Sequence, residues 1–128
     1  MTWRFLTLED VVALHHAVIN DTGGSHGLRD AGLLESAIAR AENKVDYDPH
    51  ATVPTVAASL AWGLIKNHAF IDGNKRIGLA TLVVFLSVNG FVLKASVAEE
   101  TAMVLRAAAS EITEDEWTVW VIRSVEPK

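Results

Sequence analysis

The segment Lys66-Asn-His-Ala-Phe-Ile-Asp-Gly-Asn-Lys-Arg76 runs directly into an apolar stretch, 77–88, and together they decide how the chain is interpreted. The apolar stretch carries bulky residues on nearly every side of a helix and stops at Asn89-Gly90, a common helix terminator. This pattern predicts a helix over 74–89 that is buried on most sides. Such a helix needs others packed around it, so it is expected to be the centre of a helical bundle, with its charged first turn as the one open end.

Five further helices are predicted where apolar residues at helical spacing follow a capping residue. Residues 43–50 are expected to break the second helix as an exposed, partly extended segment, and 91–93 to form a short extended link. The predicted fold class is therefore all-α: a single domain, 1–128, with about six helices around a central buried one. The capping residues are Thr7, Asp30, Thr52, Ser96 and Thr113.

Composition excludes several classes of protein. The chain has 128 residues, no cysteine and a net charge of −5. The absence of cysteine excludes disulfides, thiol catalysis and cysteine-based zinc sites. The negative net charge argues against binding of nucleic acid through a broad basic surface. Binding of phosphate would therefore need a local cluster of basic residues. No apolar run is long enough to cross a membrane and no signal segment is present, so a cytoplasmic protein without membrane partners is expected.

The loop before the fourth helix combines a base, a ligand for a hard cation and a cradle for phosphate. His68 has a side chain that can be neutral at cellular pH and accept a proton. Asp72 is a suitable ligand for Mg²⁺. Gly73 brings no side chain to block an anion, and the free N–H groups of the helix start face the same loop. The predicted phosphate cradle consists of Gly73, Asn74, Lys75 and Arg76.

Two cations in the first turn of this helix are unusual. Lys75 and Arg76 oppose the helix dipole, and they are expected there if an anion lies between them and the N–H groups. Arg76 can hold such an anion with two parallel hydrogen bonds. The competing interpretation is an ordinary helix start with two solvated cations and no ligand. Lys66 is a weaker phosphate candidate, and Phe70 is expected to pack into the core and fix the loop.

The remaining histidines, His15, His16, His26 and His50, are expected to be packing or surface residues. The acidic residues around Pro49 resemble metal ligands by composition. No second cluster accompanies them, so a solvated loop is the preferred interpretation.

The segment His68-Ala-Phe-Ile-Asp-Gly-Asn-Lys-Arg76 resembles the signature of the Fic/Doc family, His-x-Phe-x-Asp/Glu-Gly-Asn-Gly/Lys-Arg, at all seven specified positions. The upstream glycines in Gly23-Gly24 and in Gly27-Leu-Arg-Asp30 are similar to those of the death-on-curing (Doc) branch, as is Asn89-Gly90. The resemblance covers nearly the whole chain and implies the all-helical Fic/Doc fold.

Two positions within the signature distinguish branches of the family. Fic nucleotidyltransferases usually have Pro after the His and Gly before the Arg, whereas this chain has Ala69 and Lys75. Lys75 is similar to the Doc branch, whose members are described as toxins that phosphorylate a Thr of elongation factor Tu and block translation. The resemblance therefore implies ATP and Mg²⁺, His68 as the catalytic base, Asp72 as the metal ligand, and 73–76 as the nucleotide phosphate site.

The resemblance also bears on partners. The family's inhibitory pattern, Ser/Thr-x-x-x-Glu-Gly/Asn, is matched only from Ser96 to Glu100, because Thr101 follows; inhibition by a separate, Phd-like antitoxin is therefore implied. By resemblance to the Fic flap, 43–50 is expected to dock the target by strand pairing. Two alternatives remain open at this point. One is Fic-type AMP transfer to a protein hydroxyl, and the other is a non-catalytic helical module that binds phosphate.

Overall fold

The computed structural model describes residues 2–128, and over that range it contains six helices and one two-stranded sheet. The predicted all-α bundle of about six helices is confirmed. No helix within this range has the length and apolar content needed to cross a membrane. The helices are α1 (Leu8–Thr22), α2 (Ala31–Tyr47), α3 (Val53–Asn67), α4 (Asn74–Val88), α5 (Val97–Ala108) and α6 (Glu114–Ser124); the strands are β1 (Phe91–Leu93) and β2 (Val125–Pro127).

The capping residues expected from the sequence all cap helices. The Ser96 side chain accepts the Glu99 N–H, but the Glu99 side chain does not accept the Ser96 N–H in return. The Glu99 carboxylate instead accepts the indole N–H of Trp120 at 2.9 Å. These side-chain bonds satisfy N–H groups that a helix start leaves free, so the helix boundaries are set locally. The other capping residues are Thr7, Asp30, Thr52 and Thr113.

The centre of the bundle is α3 rather than α4. Eleven of the 15 residues of α3 are buried, and α3 packs against α2, α4, α5 and α6. Glycines permit this close packing: a Cβ at Gly63 of α3 would lie 3.2 Å from the Ala37 Cα, and a Cβ at Gly78 of α4 would lie 2.4 Å from the Ile65 Cγ1. Close packing of this kind leaves little room for movement, so the adjoining ends of α3 and α4 are a rigid mount.

The prediction that α4 is buried on most sides holds for its inner face and fails on part of its outer face. Its inner face, with Ile77, Leu82 and Phe85, is buried, but Val83 and Val88 are each 41 % exposed. The outer face of α4 instead lines an open groove with α1 and α5. Apolar composition alone cannot distinguish a face that packs on the core from a face left open on the surface.

One connecting segment differs from the sequence prediction and another agrees with it. The segment 43–50 is mostly helical, because α2 continues to Tyr47 with Val45 still packed against the core. It therefore offers no extended strand at 43–47 for docking a target. The expected link after α4 is strand β1, which pairs antiparallel with β2 and places Val92 opposite Glu126.

Candidate active site

The loop between α3 and α4, residues 68–73, carries the predicted base and metal ligand and is called the signature loop here. It begins at His68, which ends α3 in the left-handed conformation (φ 52°, ψ 47°). It ends at Gly73, which is also left-handed (φ 77°, ψ 20°) and begins α4. The His68 side chain is exposed, whereas Phe70 and Gly73 are buried. The loop therefore presents its base to solvent while its middle packs inward.

Asn74 closes the signature loop. Its side-chain Nδ2 donates to the Phe70 carbonyl at 2.9 Å, and its Oδ1 accepts the Phe70 N–H at 3.0 Å. The side-chain oxygen and one of the two Nδ2 hydrogens are thus used within the loop. What Asn74 can still offer an anion is the second Nδ2 hydrogen and its backbone N–H in the first turn of α4.

A second loop, residues 23–30, is called the glycine loop and pairs with the signature loop. The Gly27 carbonyl accepts the Ile71 N–H at 3.0 Å, and the Ala69 carbonyl accepts the Arg29 N–H at 2.8 Å. The Arg29 guanidinium also donates to the His68 carbonyl, through Nε at 2.9 Å and Nη2 at 2.5 Å. Sequence reasoning does not single out Arg29; the available signal is its place in a loop with three glycines. Its bonds fix the backbone that carries the predicted base.

The Asp72 carboxylate is held by groups from both loops. Its Oδ2 accepts the Ser25 N–H at 3.1 Å and its Oδ1 accepts the Gly73 N–H at 2.8 Å. Arg76 Nη2 lies 3.5 Å from Oδ1. The two backbone hydrogen bonds, more than the positive charge of Arg76, keep the pKa of Asp72 below its ordinary value, so the group is ionised at neutral pH. Position 24 must be glycine for this arrangement, since a Cβ at Gly24 would lie 2.5 Å from Oδ2.

The surroundings of Asp72 fit a magnesium–nucleotide complex. The side chain is 45 % exposed, so its oxygens can accept a further contact from the solvent side. Within 2–128, no group of three or more histidine, cysteine or acidic residues forms a ready-made metal site. Mg²⁺ commonly takes one or two protein carboxylates, keeps several waters and completes its shell with phosphate oxygens. A single ionised carboxylate beside the predicted phosphate cradle is therefore a suitable donor set for Mg²⁺ bound together with a nucleotide.

The first turn of α4 faces a concavity of about 120 Å³. Arg76 extends from this turn and is fixed through Nη1, which donates to the Thr22 Oγ1 at 2.6 Å and to the Gly23 carbonyl at 2.7 Å. The Lys75 side chain is exposed. The concavity is smaller than the pockets of about 300–1,000 Å³ that enclose whole ligands, so it suits phosphate groups rather than a complete nucleotide. Its lining consists of Asp72, Gly73, Asn74, Lys75 and Arg76.

Lys66 does not contribute to this concavity, which corrects its prediction as a weaker phosphate candidate. Its Nζ donates to the Ala107 carbonyl at 3.0 Å and to the Ser110 Oγ at 2.6 Å, and it lies 5.4 Å from the centre of the Trp62 ring. The ammonium group is therefore bound at the end of α5. Phe70, by contrast, is 2 % exposed and packs into the core, as the sequence predicted.

His15 of α1, which the sequence predicted to be a packing or surface residue, reaches the signature loop. It is only 3 % exposed, and its Nε2 lies 2.7 Å from the Asp72 carbonyl oxygen. Its ring stacks on Phe70, with centroids 3.8 Å apart and planes inclined by 10°. The available signal was its position on the core face of α1, four residues from both Val11 and Ile19.

The other candidates remain outside this arrangement. The rings of His16 and His26 contact each other with centroids 4.4 Å apart and planes inclined by 36°, and His50 is exposed in the turn after α2. A larger cleft of about 690 Å³ lies between α5 and α6 and contains none of the signature residues. Its lining mixes groups of both signs, such as Lys94 and Glu116, so it lacks the uniform positive charge that a triphosphate favours.

Comparison with known proteins finds relatives over the part of the chain that contains both loops. The model of the Fic/DOC family matches residues 5–86, a range that contains both loops. The chain is 34% identical over 87 residues to "Protein kinase doc" of Escherichia phage P1, covering 68% of this chain and 69% of that relative. It is 38% identical over 93 residues to "Toxin Doc" of Mycolicibacterium smegmatis (strain ATCC 700084 / mc(2)155), covering 72% of this chain and 69% of that relative.

Proposed function

The chain belongs to the Fic/DOC family, and on that premise we propose that it is the toxin of a toxin–antitoxin pair. In this proposal, residues 1–128 form one cytoplasmic Fic/Doc-like domain that acts as a protein kinase. It transfers the γ-phosphate of ATP to a Thr hydroxyl of elongation factor Tu and thereby blocks translation. The observation that carries the proposal is the signature loop, which holds an exposed imidazole and an ionised carboxylate beside an open, basic helix start. The names of the two relatives, one a protein kinase and the other a toxin, support the same reaction and role.

His68 is the proposed general base. Its backbone is fixed by the two hydrogen bonds from Arg29, while its exposed imidazole makes no hydrogen bond within the described residues. Histidine can be neutral at cellular pH and accept a proton. In the proposed step the acceptor hydroxyl gives its proton to the imidazole and its oxygen bonds to the γ-phosphorus. The bond from that phosphorus to the β–γ bridging oxygen breaks, and ADP leaves with the electron pair.

The phosphate end of the nucleotide is assigned to the first turn of α4. The free N–H groups after Gly73 and the side chains of Lys75 and Arg76 would oppose the negative charge that spreads over the phosphate oxygens during transfer. Asp72 would hold Mg²⁺, which when bound neutralises charge on the phosphates. The glycine loop keeps this carboxylate ionised and oriented through the Ser25 N–H.

Two labelled nucleotides separate the proposal from its alternatives. Purified elongation factor Tu is incubated with the protein and with ATP labelled at either the γ- or the α-phosphate, and the intact mass of the product is measured. Kinase activity predicts γ-label and a gain of one phosphate, whereas AMP transfer predicts α-label and a gain of one AMP. A module that only binds phosphate predicts no gain with either nucleotide, and either of these outcomes would contradict the kinase assignment.

A pair of histidine variants tests the assignment of the base. His68→Ala is expected to abolish transfer while leaving the fold and most ATP binding in place, because a base acts in the transition state. His50→Ala is the matched control, since His50 is also exposed but lies after α2, outside both loops. Full activity in His68→Ala with normal ATP affinity would show that another group takes the proton.

The open groove on the outer face of α4 is the proposed binding site for a Phd-like antitoxin. Its two parts, of about 420 and 170 Å³, share Leu79 and Arg76, so the groove borders the phosphate site. Apolar side chains such as Val83 line it, and burial, followed by the charge of the neighbouring Glu99, raises the pKa of Glu100 at its edge. An apolar segment with a basic residue opposite Glu100 fits this chemistry, and its presence would obstruct access to Arg76.

A further inference from the structure

We propose that His15 is a positioning residue that sets the direction of the Asp72 carboxylate by fixing the peptide bond between Asp72 and Gly73. The inference rests on the proposed function only in taking Asp72 as the metal ligand. It assigns to α1 a part in the active site that neither the signature nor the family match assigns to it.

Both ends of the peptide unit between Asp72 and Gly73 are held. Its carbonyl oxygen lies 2.7 Å from the His15 Nε2, and its N–H donates to the Oδ1 of the Asp72 side chain at 2.8 Å. Rotation of this peptide plane would break both contacts together. A group that holds the carbonyl therefore also holds the N–H that orients the carboxylate, although it never touches the carboxylate itself.

The His15 ring has little freedom to move. One face stacks on Phe70 at a centroid distance of 3.8 Å, and the Asn74 side chain holds the backbone of Phe70. At the Nε2 edge of the ring, a Cβ added to Gly73 would lie 3.4 Å from the His15 Nε2 and 3.0 Å from the Ile19 Cδ1. The ring is thus packed against the signature loop at one face and at its Nε2 edge, and the absence of a side chain at Gly73 leaves room for it.

The contact also specifies which nitrogen carries hydrogen. A carbonyl oxygen can only accept, so the bond to the Asp72 carbonyl requires a hydrogen on the His15 Nε2. This can be read in the unmodified protein, because the ¹⁵N NMR shifts of an imidazole distinguish its two nitrogens. Nitrogen-15 shifts that place the hydrogen of His15 on Nδ1 alone would overturn the proposal without any variant.

Two substitutions separate the hydrogen bond from simple packing. His15→Phe keeps a ring against Phe70 but removes the donor, whereas His15→Gln places an amide nitrogen near the position of Nε2. The affinity for Mn²⁺, used as a probe for Mg²⁺, is measured by electron paramagnetic resonance in the presence of ADP. His15→Phe is expected to lower this affinity by about 10–100-fold, as for other groups that orient a metal ligand, and His15→Gln is expected to restore most of it. Ala13→Phe, at an exposed position of α1, is the control for a Phe substitution in this helix and should bind Mn²⁺ as the wild type does.

The dependence on Asp72 is tested in a double variant. If His15 acts through Asp72, His15→Phe should cause no further loss of Mn²⁺ affinity in an Asp72→Asn background. A folded His15→Phe variant with wild-type affinity, or equal additional losses in both backgrounds, would overturn the proposal. Should His15→Phe fail to fold, the ¹⁵N shifts of the wild type and the affinity of His15→Gln decide. Because Mn²⁺ binding is read without phosphoryl transfer, a finding of AMP transfer would contradict the proposed kinase activity and leave this inference intact.

Discussion

Replacing Gly24 by alanine should damage the active site more than it damages the fold. Gly24 has φ +113°, and an added Cβ would lie 2.5 Å from the Asp72 Oδ2 and 3.0 Å from the Arg76 Nη2. Gly23 is an internal control, because it also has a positive φ, +86°, but an added Cβ there meets nothing within 4 Å. The difference in activity between the two alanine variants therefore measures the effect of displacing the carboxylate, separately from the effect of backbone strain.

The expected magnitudes follow from these contacts. Backbone strain at a positive φ costs roughly 1–3 kcal/mol, so both variants should lose stability of that order in urea unfolding. Only Gly24→Ala should also lose transfer activity, because its Cβ occupies the space of the carboxylate. A displacement of about 1 Å in a catalytic site can lower the rate by about 100-fold, so a loss of roughly 10–100-fold is expected.

The assay is transfer of labelled phosphate to elongation factor Tu at a temperature where both variants are folded, with the Mg²⁺ concentration varied. Gly24→Ala should need more Mg²⁺ for half-maximal rate, whereas Gly23→Ala should follow the wild-type curve. Equal losses of activity in the two variants would refute the reasoning, because they would show that the strain of the loop matters and the position of Asp72 does not.

Three further predictions concern the charges and the groove. Arg76→Ala should lower phosphate transfer by at least about tenfold, measured as initial rate, because a charge-stabilising group is lost. The carboxylate of Asp72 has a pKa below its ordinary value of 3.8, so the stability it contributes is present above that value and is lost as the pH falls through the lower folded-state pKa. In acid unfolding, the wild type should therefore lose more stability below about pH 4 than Asp72→Asn does; parallel curves would contradict this assignment. Val83→Glu should weaken antitoxin binding, measured by calorimetry, while Val119→Glu on α6 should not, since both positions are similarly exposed but only Val83 lines the groove.

Local signals predicted the helix starts and the content of the signature loop. Thr7, Thr52 and Thr113 each form a capping box with a residue three positions later, a contact that depends on sequence spacing alone. The base, the acid and the cations at 68–76 could also be recognised, because they are neighbours in the sequence. Such features can be predicted because the interacting groups are neighbours along the chain.

Features that depend on neighbouring helices could not be predicted in this way. Lys66 carries a positive charge that would suit a phosphate ligand, yet its ammonium group is hydrogen-bonded to groups at the end of α5. His15 resembled an ordinary packing residue because its partner, the Asp72 carbonyl, is 57 positions away. The apolar outer face of α4 could not be identified as open, because the composition of a helix does not say which of its faces the other helices cover.

Because backbone N–H groups of the glycine loop and of the signature loop both orient Asp72, activity can be lost through changes that leave the helical core in place. The helices that form the core do not include Ser25, so a change confined to the glycine loop can silence the protein without altering the shape of its outer surface. An inactive variant of this kind would allow the complex with the proposed antitoxin to be produced and studied without the transfer activity.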